Sequence, residues 1–124
     1  MDRVDEYRQI VRRVIEDYAE VKPKYGQIES EAILDDVRGH YEVVHVGWDN
    51  KSHRVHGTVV HIDIIDGKIW IQYDGTDRPV ADELLAAGIP PEDIVLAFHP
   101  PRLRHLTGFA VGEPVSGGRD SLKS

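Results

Sequence analysis

The dipeptide Asp66-Gly67 constrains the fold of this chain more than any other feature. It stands between two β-rich runs, His53 to Ile65 and Lys68 to Tyr73. An Asp-Gly connection of two residues suits the tight turns whose twist matches that of the flanking strands, so it predicts an antiparallel hairpin. Two further strand-like runs precede it. Gln27 to Leu34 is separated by "DDVRG" from His40 to Trp48, which "DNKS" separates from His53. Connections this short cannot cross over a sheet, so the four strands form an antiparallel meander.

Helical signals flank the meander. From Asp2 to about Glu20, Val4, Tyr7, Ile10, Val11, Val14, Ile15 and Tyr18 recur at three- and four-residue steps, and Pro23 and Gly26 end the pattern. After "DGTDRP", Pro79 to Ala87 predicts a short helix with Pro79 near its first turn and Gly88 as its stop. "IPPED" forbids continuation, and Ile94 to Phe98 follows as a fifth, apolar strand. From His99 the chain is irregular, with a short turn around Arg102 to Thr107. The predicted fold class is α+β, with both helices on one face of the sheet. Residues 1–112 make a single domain, and 113–124 a polar, Gly/Ser-rich tail expected to be flexible.

Composition excludes several functions. The chain has 124 residues, 22 acids against 15 bases, and a formal net charge of −7. Phosphate neutralisation supplies most of the affinity for bare nucleic acid, so direct nucleic-acid binding is not expected. No cysteine is present, which removes disulfides, thiol nucleophiles and thiolate metal sites. No apolar run reaches the length of a membrane span, and "MDRVDEYRQI" lacks a signal-like apolar core, so a cytoplasmic location is expected.

The stretch "HRVHGTVVHIDI" carries three histidines and an acid. Strict alternation places Thr58, Val60, Ile62 and Ile64 on a core face, with His53, Val59, His61 and Asp63 on the other. His56 then shares the core face unless a bulge at Gly57 flips the register. His53 and His61 lie about 26 Å apart along a strand, too far to share an ion whose ligands each sit about 2 Å away. A metal would need His61 and Asp63 with a ligand from another strand, such as His45. The sequence does not demand one, so no cofactor is expected.

Other chemistry is thinner. No serine lies in a nucleophile elbow, and no glycine loop cradles phosphate. Asp35 and Asp36 read as turn acids. "DGTD" lacks the alternating ligands of a calcium loop and reads as a turn, with Thr76 or Asp77 capping the next helix. What remains is the sheet face opposite the helices. If Ile69, Ile71 and Tyr73 line the core, Trp70 and Gln72 point outward with Val59 and His61. That mixed face has the composition of a protein interface, and Val59, His61, Trp70 and Gln72 are the candidate partner surface. Equally, Trp70 folds beneath the C-terminal segment, against Leu103, Leu106 or Phe109.

The stretch "VHVGWDNKSHRVHGTVVHIDIIDGKIWIQYDGTD", followed by "ADELLAAGIPPEDIVLAFHPP" and "TGFAVG", resembles the XisI-like proteins, the fdxN element excision controlling factors. The likeness runs from the first helix to about Gly112. It implies a small cytoplasmic α+β protein acting in programmed excision of a DNA element in nitrogen-fixing filamentous bacteria. It also implies a XisH-type, nuclease-like partner and a separate recombinase that does the cutting and joining. No catalytic residue is carried over from the family.

Residues and resemblance together predict a non-catalytic controlling factor for excision, a form of site-specific DNA recombination, that binds a XisH-type partner. Three alternatives stay open. One is an acidic antidote to a toxic nuclease partner. Another is a metal-assisted hydrolase using His61, Asp63 and a second strand's histidine such as His45. The third is direct DNA contact through Arg102, Arg104 and His105. A homo-oligomer is also conceivable through the edge strand Gln27 to Leu34, although the acids at its ends oppose it.

Overall fold

The structure, a computed structural model, describes residues 2–112. The expected tail at 113–124 lies outside the described residues. Helix α1 spans Arg3–Glu20. The Asp2 carboxylate accepts from the Asp5 backbone N–H at 2.9 Å, which satisfies one of the donors a helix start leaves open. Tyr7, Val11, Val14, Ile15 and Tyr18 form its buried stripe.

Strands β1 (Gln27–Asp35), β2 (His40–Trp48), β3 (Arg54–Ile65) and β4 (Lys68–Asp74) pair as consecutive antiparallel neighbours. Asp66 and Gly67 both have positive φ, 52° and 77°, as the tight hairpin connection requires. Helix α2 (Val80–Ala86) then carries the chain across, and β5 (Ile94–Leu96) lies parallel to β4 at the end of the β1-β2-β3-β4-β5 sheet. The sheet is therefore mixed, and its fifth strand is shorter than the expected Ile94 to Phe98.

Both helices pack on one face. Their buried residues join Tyr41, Val43, Val60, Ile62, Ile69, Ile71 and Ile94 in one core. Gly88, with φ 99°, ends α2, and the Ile89 amide donates to the Leu84 carbonyl at 3.2 Å. The start of α2 is capped by Asp74, whose Oδ2 accepts from the Val80 N–H at 2.8 Å. Neither Thr76 nor Asp77 is the cap. Thr76 instead gives its N–H and hydroxyl to Asp74 Oδ1, at 3.0 and 2.6 Å, so Asp74 organises the whole "DGTD" turn.

Two irregularities break the expected alternation. Val43 stands opposite Val60 and Val44 opposite Thr58, which leaves Val59 as an extra residue in β3. His61 stands opposite Tyr73 and Ile62 opposite Ile71, which leaves Gln72 extra in β4. Each bulge flips everything beyond it. Thr58 consequently leaves the core face, and its hydroxyl donates to Glu42 Oε1 at 2.6 Å. His56, opposite Val46, moves to the outer face through the bulge at Val59 rather than one at Gly57. Tyr73 likewise faces outward and is 51% exposed instead of lining the core.

Candidate functional site

The outer sheet face, opposite the helices, is divided in two. Beyond β5 the chain makes a 3₁₀ helix at Pro101–Leu106 and returns so that Ala110 bridges to Val95. This segment covers Trp70, which is only 9% exposed. A Cβ built on Gly112 would lie 2.7 Å from the Trp70 ring, so the backbone rests against the indole there. The Arg104 guanidinium sits 5.4 Å from the ring centroid on this same aromatic group. Leu103 and Leu106 are exposed, and Phe109 packs against the core. The covering is therefore supplied by Arg104 and the 110–112 backbone rather than by an apolar lid.

Arg104 is 3% exposed and donates to the carbonyls of His99, Val111 and Ala97 at 3.0, 3.3 and 3.1 Å. A guanidinium engaged this way is not presented to a phosphate, which removes the central residue of the Arg102, Arg104 and His105 DNA contact.

The four residues of the expected partner surface do not form one patch. Trp70 is covered. Val59, at its bulge, packs against the core and lines a groove of about 610 Å³ on the helix side, with Tyr18, Val21, His45 and Arg78. His61 and Gln72 remain together on the outer face, because both hold Asp63.

Asp63 is the centre of a polar cluster. It stands opposite His40 on β2 and opposite Trp70 on β4, and is 2% exposed. Its Oδ1 lies 3.0 Å from His40 Nδ1 and 2.9 Å from His61 Nε2, while Oδ2 accepts from Gln72 Nε2 at 3.2 Å. His40 Nε2 lies 2.6 Å from Glu42 Oε2, and Thr58 holds the other Glu42 oxygen. The two imidazole centroids are 4.4 Å apart, tilted by 53°. Burial acts to lower the His40 pKa, but the Glu42 hydrogen bond and the Asp63 and Glu42 charges outweigh it and raise the pKa above the ordinary value. Burial likewise pushes the Glu42 carboxyl up, while the Thr58 hydrogen bond and the His40 contact bring it below the usual range. Both His40 nitrogens face carboxylate oxygens, so hydrogen bonding alone satisfies the ring only when both carry protons.

His40, His61 and Asp63 offer ligand atoms that all lie within 4.8 Å of one another. The sequence points to His61 and Asp63 but to the wrong third residue. His45 is five positions from His40 along β2, on the opposite face, where it lines the groove beneath α1. His40 was missed because its pairing with Asp63 depends on the Val59 bulge. Counted back from the Trp48–Arg54 pair without that extra residue, His40 would face Ile62.

The remaining outer face, over β1 to β3, carries Ile33, Val44, Val46 and Trp48, paired in register with Glu42, Thr58, His56 and Arg54 respectively or adjacent to them. Trp48 is 50% exposed, and the Arg54 guanidinium lies 5.2 Å from its ring centroid.

Comparison with known proteins follows the same outline. The sequence model of the family described as XisI protein matches residues 1–111. A crystal structure of a XisI-like protein from Anabaena variabilis is 39% identical, superposes with a TM-score of 0.79, and is matched over 88% of this chain and 99% of its own. The crystal structure of fdxN element excision controlling factor XisI from Anabaena variabilis is 37% identical, with a TM-score of 0.76, over 90% of this chain and 100% of its own. No curated protein matches the chain. Among the described residues, no helix is long and apolar enough to cross a membrane.

Proposed function

Because this chain belongs to the XisI family, we propose that it is a controlling factor in programmed excision of a DNA element, acting by binding a partner and breaking no bond itself. The observation that carries this reading is the likeness, 37% identical over 90% of the chain, to a solved fdxN element excision controlling factor. The acidic balance agrees with it, since a net charge of −7 suits a basic protein partner better than a phosphate backbone.

The partner is a XisH-type, nuclease-like protein, and the recombinase is reached only through it. The docking surface is the uncovered half of the outer face. There Val44, Val46 and Trp48 supply apolar area, and His61 and Gln72 stand toward the covered side. An exposed Trp48 beside half-buried Val44 and Val46, rimmed by Glu42, Thr58 and Arg54, has the make-up of an interface core and rim. Trp70 contributes from below, by keeping β4 and the C-terminal segment in place, and Val59 by setting the register of β3.

Co-purification with a XisH-type protein tests this. Val46→Asp with Trp48→Ala is expected to abolish capture while leaving the melting temperature within a few degrees of wild type, because neither residue belongs to the core. Undiminished capture by that variant would overturn the proposed surface. The acid excess also favours the antidote reading, in which the same contact silences a toxic nuclease. Rescue of cells on co-expression, lost in the same variant, is its expected signature.

A further inference from the structure

We propose that His40 Nδ1, His61 Nε2 and Asp63 Oδ1 form a binding site for a divalent first-row transition ion, zinc above all. Ligand atoms about 2.0–2.1 Å from a tetrahedral ion lie roughly 3.3 Å from one another. The Asp63 oxygen stands 3.0 and 2.9 Å from the two ring nitrogens, and all three atoms fall within 4.8 Å. Closing the two ring nitrogens from at most 4.8 Å to that spacing is a side-chain adjustment of up to about 1.5 Å. No backbone movement is needed, because the three residues sit on paired strands rather than on loops.

The surroundings match what ligands of such ions require. A metal-bound imidazole characteristically gives its second N–H to a carboxylate, and His40 Nε2 faces Glu42 Oε2 at 2.6 Å. Thr58 in turn fixes Glu42 by a 2.6 Å hydrogen bond. Gln72 donates to the Asp63 oxygen that points away from the rings, leaving the other for the ion. Asp63 and Glu42 together carry the charge that a dication neutralises in this half-buried place.

Ligand type selects the ion. Two imidazoles and one carboxylate favour zinc and its neighbours, whereas magnesium and calcium demand oxygen donors. Three protein ligands leave a coordination position open. The His40 and His61 side chains are 35% and 26% exposed, so that position faces solvent and takes a water or an exchangeable donor from outside.

The test uses the full chain, stripped with a chelator and titrated with Co²⁺, whose visible absorption reports its coordination. One equivalent is expected to bind, with bands of a four- or five-coordinate nitrogen–oxygen site, and Zn²⁺ is expected to displace it. His40→Gln and His61→Gln should each weaken binding by roughly 100-fold, and Gln72→Ala by about 10-fold, as loss of a ligand-orienting partner does. His45→Gln and His53→Gln should bind as wild type does. Circular dichroism establishes that each variant is folded. Because His61 is partly exposed, its variant remains informative if substitution at Asp63 unfolds the chain. Sub-stoichiometric binding by wild type, or unchanged binding by the folded His40→Gln and His61→Gln variants, would overturn the site. A chain that binds no ion remains able to capture a partner, so this test and the co-purification fail separately.

Discussion

Arg104 ties together three carbonyls, those of Ala97, His99 and Val111, while lying over the Trp70 ring. Replacing it by leucine leaves those acceptors without their charged donor, and each buried unsatisfied group costs about 1–3 kcal/mol. Arg104→Leu is thus expected to destabilise the protein by roughly 3 kcal/mol in urea unfolding. In a Trp48→Phe background, its tryptophan emission should shift to the red as Trp70 meets water. Emission unchanged from the parent would mean that something else holds the segment down. His45 provides a pH-dependent counterpart. Burial alone lowers its pKa below the ordinary 6.5, so the unfolded chain takes up the proton more readily than the folded one. Its stabilising contribution is complete above the unfolded pKa and is lost as pH falls from there through the depressed folded value. His45→Gln should therefore flatten the stability profile as pH falls below the ordinary histidine value of about 6.5. An unaltered slope across that window would exclude His45 as its source.

At the scale of elements, the sequence is legible wherever local chemistry decides and illegible where one strand's register depends on another's. The Asp66-Gly67 hairpin, the buried stripe of α1 and the Gly88 stop were all readable, because turn geometry, helical period and positive φ are local requirements. The bulges at Val59 and Gln72 were not. Neither position carries a glycine or any other local mark, and each exists only as a mismatch between paired strands. Alternation therefore misplaced Thr58, His56 and Tyr73. The same blindness hid His40 while leaving His61 and Asp63 visible. Asp74 was hidden for a related reason. It precedes α2 by six residues, so its capping of Val80 depends on the path of the intervening turn. Asp74→Ala removes that cap and both hydrogen bonds to Thr76, and is expected to cost about 1–2 kcal/mol. Amide exchange should quicken first in Val80 to Leu84. Uniform acceleration through the sheet instead would show that the turn does not act locally.

For the whole molecule, the two edges of the sheet are unlike each other. At β5 the Val95–Ala110 bridge and the Arg104 hydrogen bonds occupy the edge and the face beside it. At β1 no described strand pairs beyond Gln27–Asp35, and a nine-residue edge is long enough to template pairing with a second chain. Charge opposes that. Glu29 and Glu31 lie in mid-strand with Asp35 at the end, and in an antiparallel pair of β1 strands these acids would meet their like. Glu29 contacts Lys22 at 3.1 Å and Asp35 contacts Arg38 at 3.2 Å, but both cations are well exposed and screen the acids weakly. Repulsion of this kind leaves the folded monomer nearly untouched and acts on association, so stability and self-association should respond separately. Glu29→Thr with Glu31→Thr is expected to change the unfolding free energy by less than about 1 kcal/mol, as exposed substitutions do. The same change should make the sedimentation coefficient rise with protein concentration more steeply than in wild type, most clearly at low salt, where like-charge repulsion reaches furthest. Identical concentration dependence for the two proteins would mean that the β1 acids do not guard this edge.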